Sequence, residues 1–196
     1  MSKRGERKMI SKHLRKPFII LLGLATVSVI GGCAAYVMNP ATQPGKAPVI
    51  SHAYSIERGR YGDVLKVYIQ ADDPDNDMLR IATVVEQAGI GRYPTDWIYL
   101  KAPHTGRFSG YLKWNTYSPN TNRLAEWTWI TIKVSVFDRT GRESNVVVFP
   151  FEFVSEVIKN PAPPPPFDQD NVPMIGNITV DLYDPTSMRS GFWWVD

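Results

Sequence analysis

Hydrophobic and polar side chains alternate along the middle of the chain, between residues 49 and 158. The clearest apolar face is in the stretch DVLKVYIQA and consists of Leu65, Val67, Ile69 and Ala71. The same alternation recurs in MLRIATVVEQ, where Leu79, Ile81, Thr83 and Val85 share a face, and in WTWITIKVSVFD. Successive side chains of a strand point to opposite faces, and turn residues separate these runs. The pattern therefore predicts an all-β domain, an antiparallel sandwich or barrel.

A different pattern precedes this region. An apolar run from Phe18 to Ile30 follows residues 1–17, which hold seven Lys and Arg against one acidic side chain. A basic stretch, an apolar core and small residues are the layout of an export signal, whose cationic end stays in the cytoplasm. The sequence thus predicts an N-terminal hydrophobic helix that serves as a signal or as an anchor.

The sequence IGGC at residues 30–33 resembles the lipobox of bacterial lipoproteins. Its cleavage motif is made up of Ile30, Gly31 and Gly32. The resemblance implies cleavage before Cys33 and a covalent lipid on the Cys33 sulfur. The alternative is an uncleaved signal anchor, because the 21 uncharged residues 18–38 can cross a hydrocarbon core about 30 Å thick. Both interpretations place the rest of the chain in the bacterial cell envelope, facing the periplasm or the cell exterior.

Proline-rich segments divide the remaining chain. Residues 1–33 form the signal or anchor, residues 34–48 a tether, and residues 49–158 the sandwich. Residues 159–167 contain four consecutive prolines, which predict a polyproline linker. Residues 168–196 are too few to build a core, so we expect a docking tail that packs on the sandwich or on a partner. A chain stopped after Lys159 is expected to keep a folded sandwich.

Two segments resemble bacterial Ig-like and cadherin-like domains. IQADDPDNDMLRI is similar to their strand–turn–strand unit, in which an alanine precedes an Asp-Pro-Asp-x-Asp turn. VSVFDRTGRESNVVVFPFEF is similar to their last hairpin. The resemblance implies an Ig-like antiparallel β-sandwich. Because unrelated functions share this fold, it implies little about activity.

The acidic turn at residues 72–77 is the candidate metal site. Asp73, Asp75 and Asp77 have the alternate spacing with which calcium loops begin. An EF-hand also needs glycine at its sixth position and glutamate at its twelfth, and other residues stand there. We therefore expect these carboxylates to bond the backbone of the turn, with calcium as the alternative. The expected covalent group is the lipid on Cys33, with no other cofactor.

The distribution of charge and the absence of catalytic motifs limit the classes of function that the sequence allows. Of the formal net charge of +3, residues 1–17 contribute +6, so the chain beyond Cys33 carries −3. Nucleic-acid binding needs a clustered basic face, so we expect no nucleic-acid partner. The sequence contains no nucleophile elbow, zinc-binding His pair or phosphate loop. It therefore predicts no catalytic residues and a non-enzymatic protein.

Aromatic residues are the remaining candidates for binding. Trp127 and Trp129 share the strand face opposite the inward isoleucines, and on an open face they would stack on sugars or dock a protein. Phe192, Trp193 and Trp194 are adjacent, so they cannot all lie on one buried face of an extended chain.

These patterns predict an exported, membrane-tethered lipoprotein whose Ig-like domain binds or scaffolds a protein partner in the cell envelope. The membrane is reached through the lipid or through the N-terminal helix. One alternative is a single-pass, signal-anchored subunit of an envelope or secretion assembly. The other is a small carbohydrate- or cell-wall-binding protein.

Overall fold

The computed structural model describes residues 45–121, 124, 128–158, 161–168 and 170–184. All of them belong to the compact unit Pro40–Asp196, and the predicted signal and lipobox lie outside the described residues. The described part of the chain forms strands only, and none of it is a helix able to cross a membrane. The strands are β1 (Val49–Tyr54), β2 (Arg58–Gly59), β3 (Val64–Asp72), β4 (Met78–Gln87), β5 (Gly91–Arg92), β6 (Asp96–Tyr99), β7 (Arg107–Asn115), β8 (Trp129–Asp138), β9 (Val147–Phe153) and β10 (Met174–Ile178).

The strands form two sheets that enclose one core. The four-stranded sheet has the order β1-β3-β7-β10, and the six-stranded sheet has the order β2-β9-β8-β4-β5, with β6 also paired to β4. The apolar face predicted in DVLKVYIQA is buried, with Leu65 2% exposed and Val67 and Ile69 fully buried. The isoleucines and valines of β8 face it from the other sheet. The alternation therefore predicted the inward faces of β3 and β8 correctly.

The strand neighbours are those of an immunoglobulin fold. β1, β3 and β7 take the places of strands A, B and E, and β4, β8 and β9 those of strands C, F and G. The chain crosses between the sheets after β1, because β2 pairs in parallel with β9. The described residues thus form an all-β, Ig-like sandwich.

The sandwich continues beyond residue 158. β10 pairs in parallel with β7, which places Ile178 opposite Trp114. Ile178, Val180 and Leu182 are all buried in the core, because their alternate spacing turns them to one side. Residues 170–184 of the predicted docking tail therefore form part of the sandwich.

Residues 161–167, here called the proline strap, lie against the outer face of the four-stranded sheet. Tyr54, Tyr68 and Tyr111 form a ladder on this face, with ring centroids 6.1 and 5.6 Å apart. Phe167 is 2% exposed, and its ring centroid lies 5.4 Å from that of Tyr68. Pro163 lines the same surface beside Tyr68. The segment predicted to be a linker thus packs on the domain.

One inward position was predicted wrongly. Leu79 was expected to share the buried face of Ile81, but Leu79 is partly exposed and Met78 is fully buried. The pairing of β4 with β8 shifts register between Met78 and Arg80. An additional residue at such a bulge disrupts the simple alternation of side chains.

Candidate functional site

The outer face of the six-stranded sheet exposes large apolar side chains. Trp97, Tyr99, Trp129 and Val148 are between 37% and 60% exposed. They share this face because Arg80 lies opposite Tyr99 and Ala82 lies opposite Trp97, while the intervening Ile81 faces the core. Exposed aromatic side chains concentrated on one sheet face are a reason to look for an interaction site there.

Arg80 is the centre of an aromatic cluster on this face, formed with Trp97, Tyr99 and Phe137 and here called the Arg80 patch. The guanidinium carbon lies 3.9 Å from the ring centroid of Trp97 and 5.8 Å from that of Phe137. The two rings meet edge to face, with centroids 5.4 Å apart. A guanidinium is planar and weakly hydrated, so it stacks favourably on aromatic rings. The rings therefore restrict the position of the Arg80 charge.

The charge of Arg80 has no counterpart in the described part of the chain. No carboxylate there forms an ion pair with Arg80, and its buried Nε has no hydrogen-bond partner. Two other cations of the same face are paired. Lys133 Nζ lies 2.7 Å from Glu86 Oε1, and Arg58 Nε lies 3.2 Å from Glu152 Oε2. The Arg80 patch thus combines exposed aromatic surface with an uncompensated cation.

Trp129 lies on the same face, towards the other end of β4. It is 52% exposed, and its backbone carbonyl accepts a hydrogen bond from the Ala88 N–H at 2.9 Å. A depression of about 330 Å³ lies beside it, with Gln87 and Arg92 in its lining, and is here called the Trp129 depression. Trp127, the other residue of the predicted platform, lies outside the described residues.

One aspartate of the acidic turn, Asp73, bonds the backbone of the turn itself. Asp73 is 4% exposed, and its two carboxylate oxygens accept the N–H groups of Asp75 and Asp77 at 3.1 and 3.0 Å. The Asp75 carboxylate accepts the N–H of Lys46. Between Asp75 and Asp77, Asn76 adopts a φ of 58°, which asparagine tolerates better than most residues. The bonds of Asp73 and Asp75 thus join the turn to its own backbone and to the segment before β1.

Asp77 and Asp138 lie at this end of the sandwich in opposite electrostatic settings. Burial, together with contacts to Asp73, Asp138 and Asp75, raises the pKa of Asp77, and the Asp77 Oδ1 is buried without a hydrogen-bond partner. Burial alone would raise the pKa of Asp138 also, but hydrogen bonds from Thr140 and Arg142 lower it.

Metal binding is not evident from this geometry. In the described ranges, no group of three or more His, Cys, Asp or Glu side chains is placed to hold a metal ion. That the acidic turn binds no calcium stays a prediction. A depression of about 560 Å³ lies between residues 54–58 and residues 156–158 with Pro161. Its cation Arg58 is already paired with Glu152 and Glu156.

Several predicted site residues fall outside the described residues. They are Ile30, Gly31, Gly32, Cys33, Trp127, Phe192, Trp193 and Trp194. Sequence reasoning missed Arg80, although alternation in MLRIATVVEQ turns it outwards. Recognising the Arg80 patch would have required the pairing of β4 with β6 and β8, which brings Trp97 and Phe137 to it.

Comparison with known proteins adds little. No family model matches the chain, and no curated protein matches it. Among solved structures it is similar to the PKD domain of an M14-like peptidase from Thermoplasmatales archaeon SCGC AB-540-F20. The two are 13% identical over 57% of this chain and 100% of that chain, with a TM-score of 0.39. This likeness carries no information on function.

Proposed function

We propose that the protein is an exported, membrane-tethered lipoprotein whose sandwich is a non-enzymatic binding domain. The outer face of the six-stranded sheet binds a protein partner through the Arg80 patch. The observation that carries this proposal is the exposed aromatic cluster around an unpaired guanidinium. Tryptophan, tyrosine and arginine are the residues that most often dominate binding energy at protein interfaces.

The chemistry of the partner follows from Arg80. Because no carboxylate of the described residues neutralises Arg80, the complementary surface places an aspartate or glutamate against the guanidinium and apolar side chains around it. Such a charge-assisted bond is stronger than a neutral hydrogen bond. It also selects against partners that present a cation or an unpaired polar group there.

A protein is favoured over a sugar by the position of the guanidinium. Sugar binding by stacking needs a flat, accessible aromatic ring. Arg80 lies 3.9 Å above the Trp97 ring, so one face of that ring is already occupied. The aliphatic side chain of Val148, 52% exposed on the same sheet face, also fits a protein contact.

The membrane attachment in this proposal rests on the sequence. The lipobox-like residues 30–33 support a lipid on Cys33, and the basic residues 1–17 support export through the membrane. A signal-anchored subunit is the alternative for the same compartment. In that alternative Cys33 carries no lipid and the chain is not cleaved before it, whereas the Arg80 patch binds the partner in the same way.

The test is cross-linking of the full chain in its native membrane, compared between two charge reversals. Arg80→Glu should abolish the cross-linked partner, while Lys113→Glu, an exposed site on the other sheet, should retain it. Both variants must first show wild-type melting. A partner that survives Arg80→Glu would contradict the proposed site. Binding of cell-wall glycans that is lost in Trp97→Ala would instead support the carbohydrate-binding alternative.

A further inference from the structure

The described chain ends at the end of β4 that borders the Trp129 depression, on the core side of the sheet. The backbone carbonyl of Tyr183 accepts a hydrogen bond from Gln87 Nε2 at 2.6 Å, and Gln87 lines the depression. The Tyr183 N–H donates to the Tyr93 hydroxyl at 3.0 Å, and the two rings stack with centroids 6.3 Å apart. Gln87 pairs with the buried Ile130 and is itself 2% exposed, so these bonds hold residue 184 on the core side of the end of β4, while Glu86 and Trp129 of the depression lie on the outer side of that end.

The depression has room for a side chain and an apolar wall. Its volume is about 330 Å³, and the exposed half of the Trp129 ring borders it. The exposed Arg92 lies at the same site and forms no ion pair within the described residues. The surface therefore suits an aromatic segment that also carries a carboxylate.

The chain itself supplies such a segment. Residues 185–196 follow directly and contain Phe192, Trp193 and Trp194, with Asp196 two residues further on. An extended chain spans at most about 3.3–3.6 Å per residue, so the first residue of the aromatic triplet can reach at most about 26–29 Å from residue 184. This length is enough for the chain to pass round the end of β4 and reach the outer face of the sheet.

We propose that residues 185–196 fold back over the end of the six-stranded sheet and seat one aromatic side chain of the triplet in the Trp129 depression. The competing face is less suitable, because the proline strap already packs on the tyrosine ladder of the other sheet. The proposed contact is separate from the Arg80 patch. Glu86, beside the depression, lies six residues along β4 from Arg80, about 20 Å away at the rise of a strand.

Hydroxyl-radical footprinting of the full chain tests this proposal without any partner. Two comparison chains are used: one stopped after Asp184, and one with all three aromatics at 192–194 replaced by serine. Oxidation of Trp129 should rise several-fold in both, while oxidation of Trp97 stays constant as an internal control. Adding a synthetic peptide of residues 185–196 to the stopped chain should restore the protection of Trp129.

Three results would overturn the proposal. The first is equal Trp129 oxidation in the full and shortened chains. The second is a change at Trp97 in place of Trp129. The third is protection that appears only as the chain dimerises, which would assign the segment to a second copy. The first and third results leave the Arg80 patch untouched, and the proposed function with it. The second result would place the tail on Trp97 of that patch and would count against a free Arg80 patch as well.

Discussion

Stopping the chain after Lys159 is the most informative perturbation of the fold. Among the described residues it removes four buried side chains, namely Phe167, Ile178, Val180 and Leu182, each at most 9% exposed. Full burial of one such side chain contributes about 1.5–3 kcal/mol, so the four contribute roughly 6–12 kcal/mol. The entropy cost of ordering the segment offsets part of this gain. The remainder is still large against a typical domain stability of about 5–15 kcal/mol.

We therefore expect the stopped chain not to fold cooperatively, the opposite of what the sequence alone predicts. Urea unfolding followed by tryptophan fluorescence measures this, since Trp114 is fully buried and its Nε1 donates to the Val180 carbonyl at 3.0 Å. Within the full chain, Leu182→Ala should cost about 2–5 kcal/mol. The matched control is Val157→Ala, whose side chain is 81% exposed and whose loss should change little. A stopped chain that unfolds with the wild-type midpoint would refute the assignment of residues 170–184 to the core.

Three further predictions concern single residues. Cys33→Ser should abolish lipid labelling and leave an uncleaved precursor, as seen by metabolic labelling and N-terminal mass; labelled lipid that persists would contradict the lipoprotein proposal. Calorimetry should find no calcium site tighter than about 10⁻⁴ M, and a tighter site lost in Asp75→Ala would show that an ion holds the acidic turn. Asp77→Asn should raise the free energy of unfolding at pH 7 by roughly 1 kcal/mol, and Asp138→Asn should lower it by about 3 kcal/mol. The pKa of Asp77 is raised in the folded protein, so its charge destabilises the fold. This destabilisation is absent when the pH is below the pKa of an unfolded aspartate, and it grows as the pH rises to the pKa of Asp77 in the folded protein. The pKa of Asp138 is lowered in the folded protein, so its charge stabilises the fold when the pH is above the pKa of an unfolded aspartate. This stabilisation is lost as the pH falls through the pKa of Asp138 in the folded protein. Urea unfolding at several pH values checks both variants, and shifts of the same sign would contradict this assignment.

Local alternation made most of the sandwich predictable. Each strand of the core carries its own pattern, as in β3, where Leu65, Val67 and Ile69 are buried and Lys66 is exposed. Such a pattern needs no knowledge of the partner strand. The bulge after Met78 was not predictable in this way, because it arises from the register between β4 and β8.

The role of the tail could not be predicted because it depends on distant pairing. Ile178, Val180 and Leu182 alternate and so indicate one apolar face, but the sequence does not show which surface covers it. In the structure β10 lies beside β7, which ends 59 residues before β10 begins. The Arg80 patch has the same origin, since Arg80 and Trp97 meet only through the pairing of β4 with β6.

The course of the tail also accounts for the position of the candidate binding face. An uncovered sheet edge is a template for association, and β10 covers the edge of β7. β10 in turn lies close to β6, because the Thr179 N–H donates to Asp96 Oδ2 at 2.8 Å and Gly176 lies against Ile98. A larger side chain at Gly176 would meet Ile98 at 2.4 Å, so this approach needs glycine. The proline strap lies on the outer face of the same four-stranded sheet. The described chain thus covers both the β7 edge and the tyrosine ladder of that sheet. The exposed aromatic side chains of the six-stranded sheet are therefore the better placed to meet another molecule.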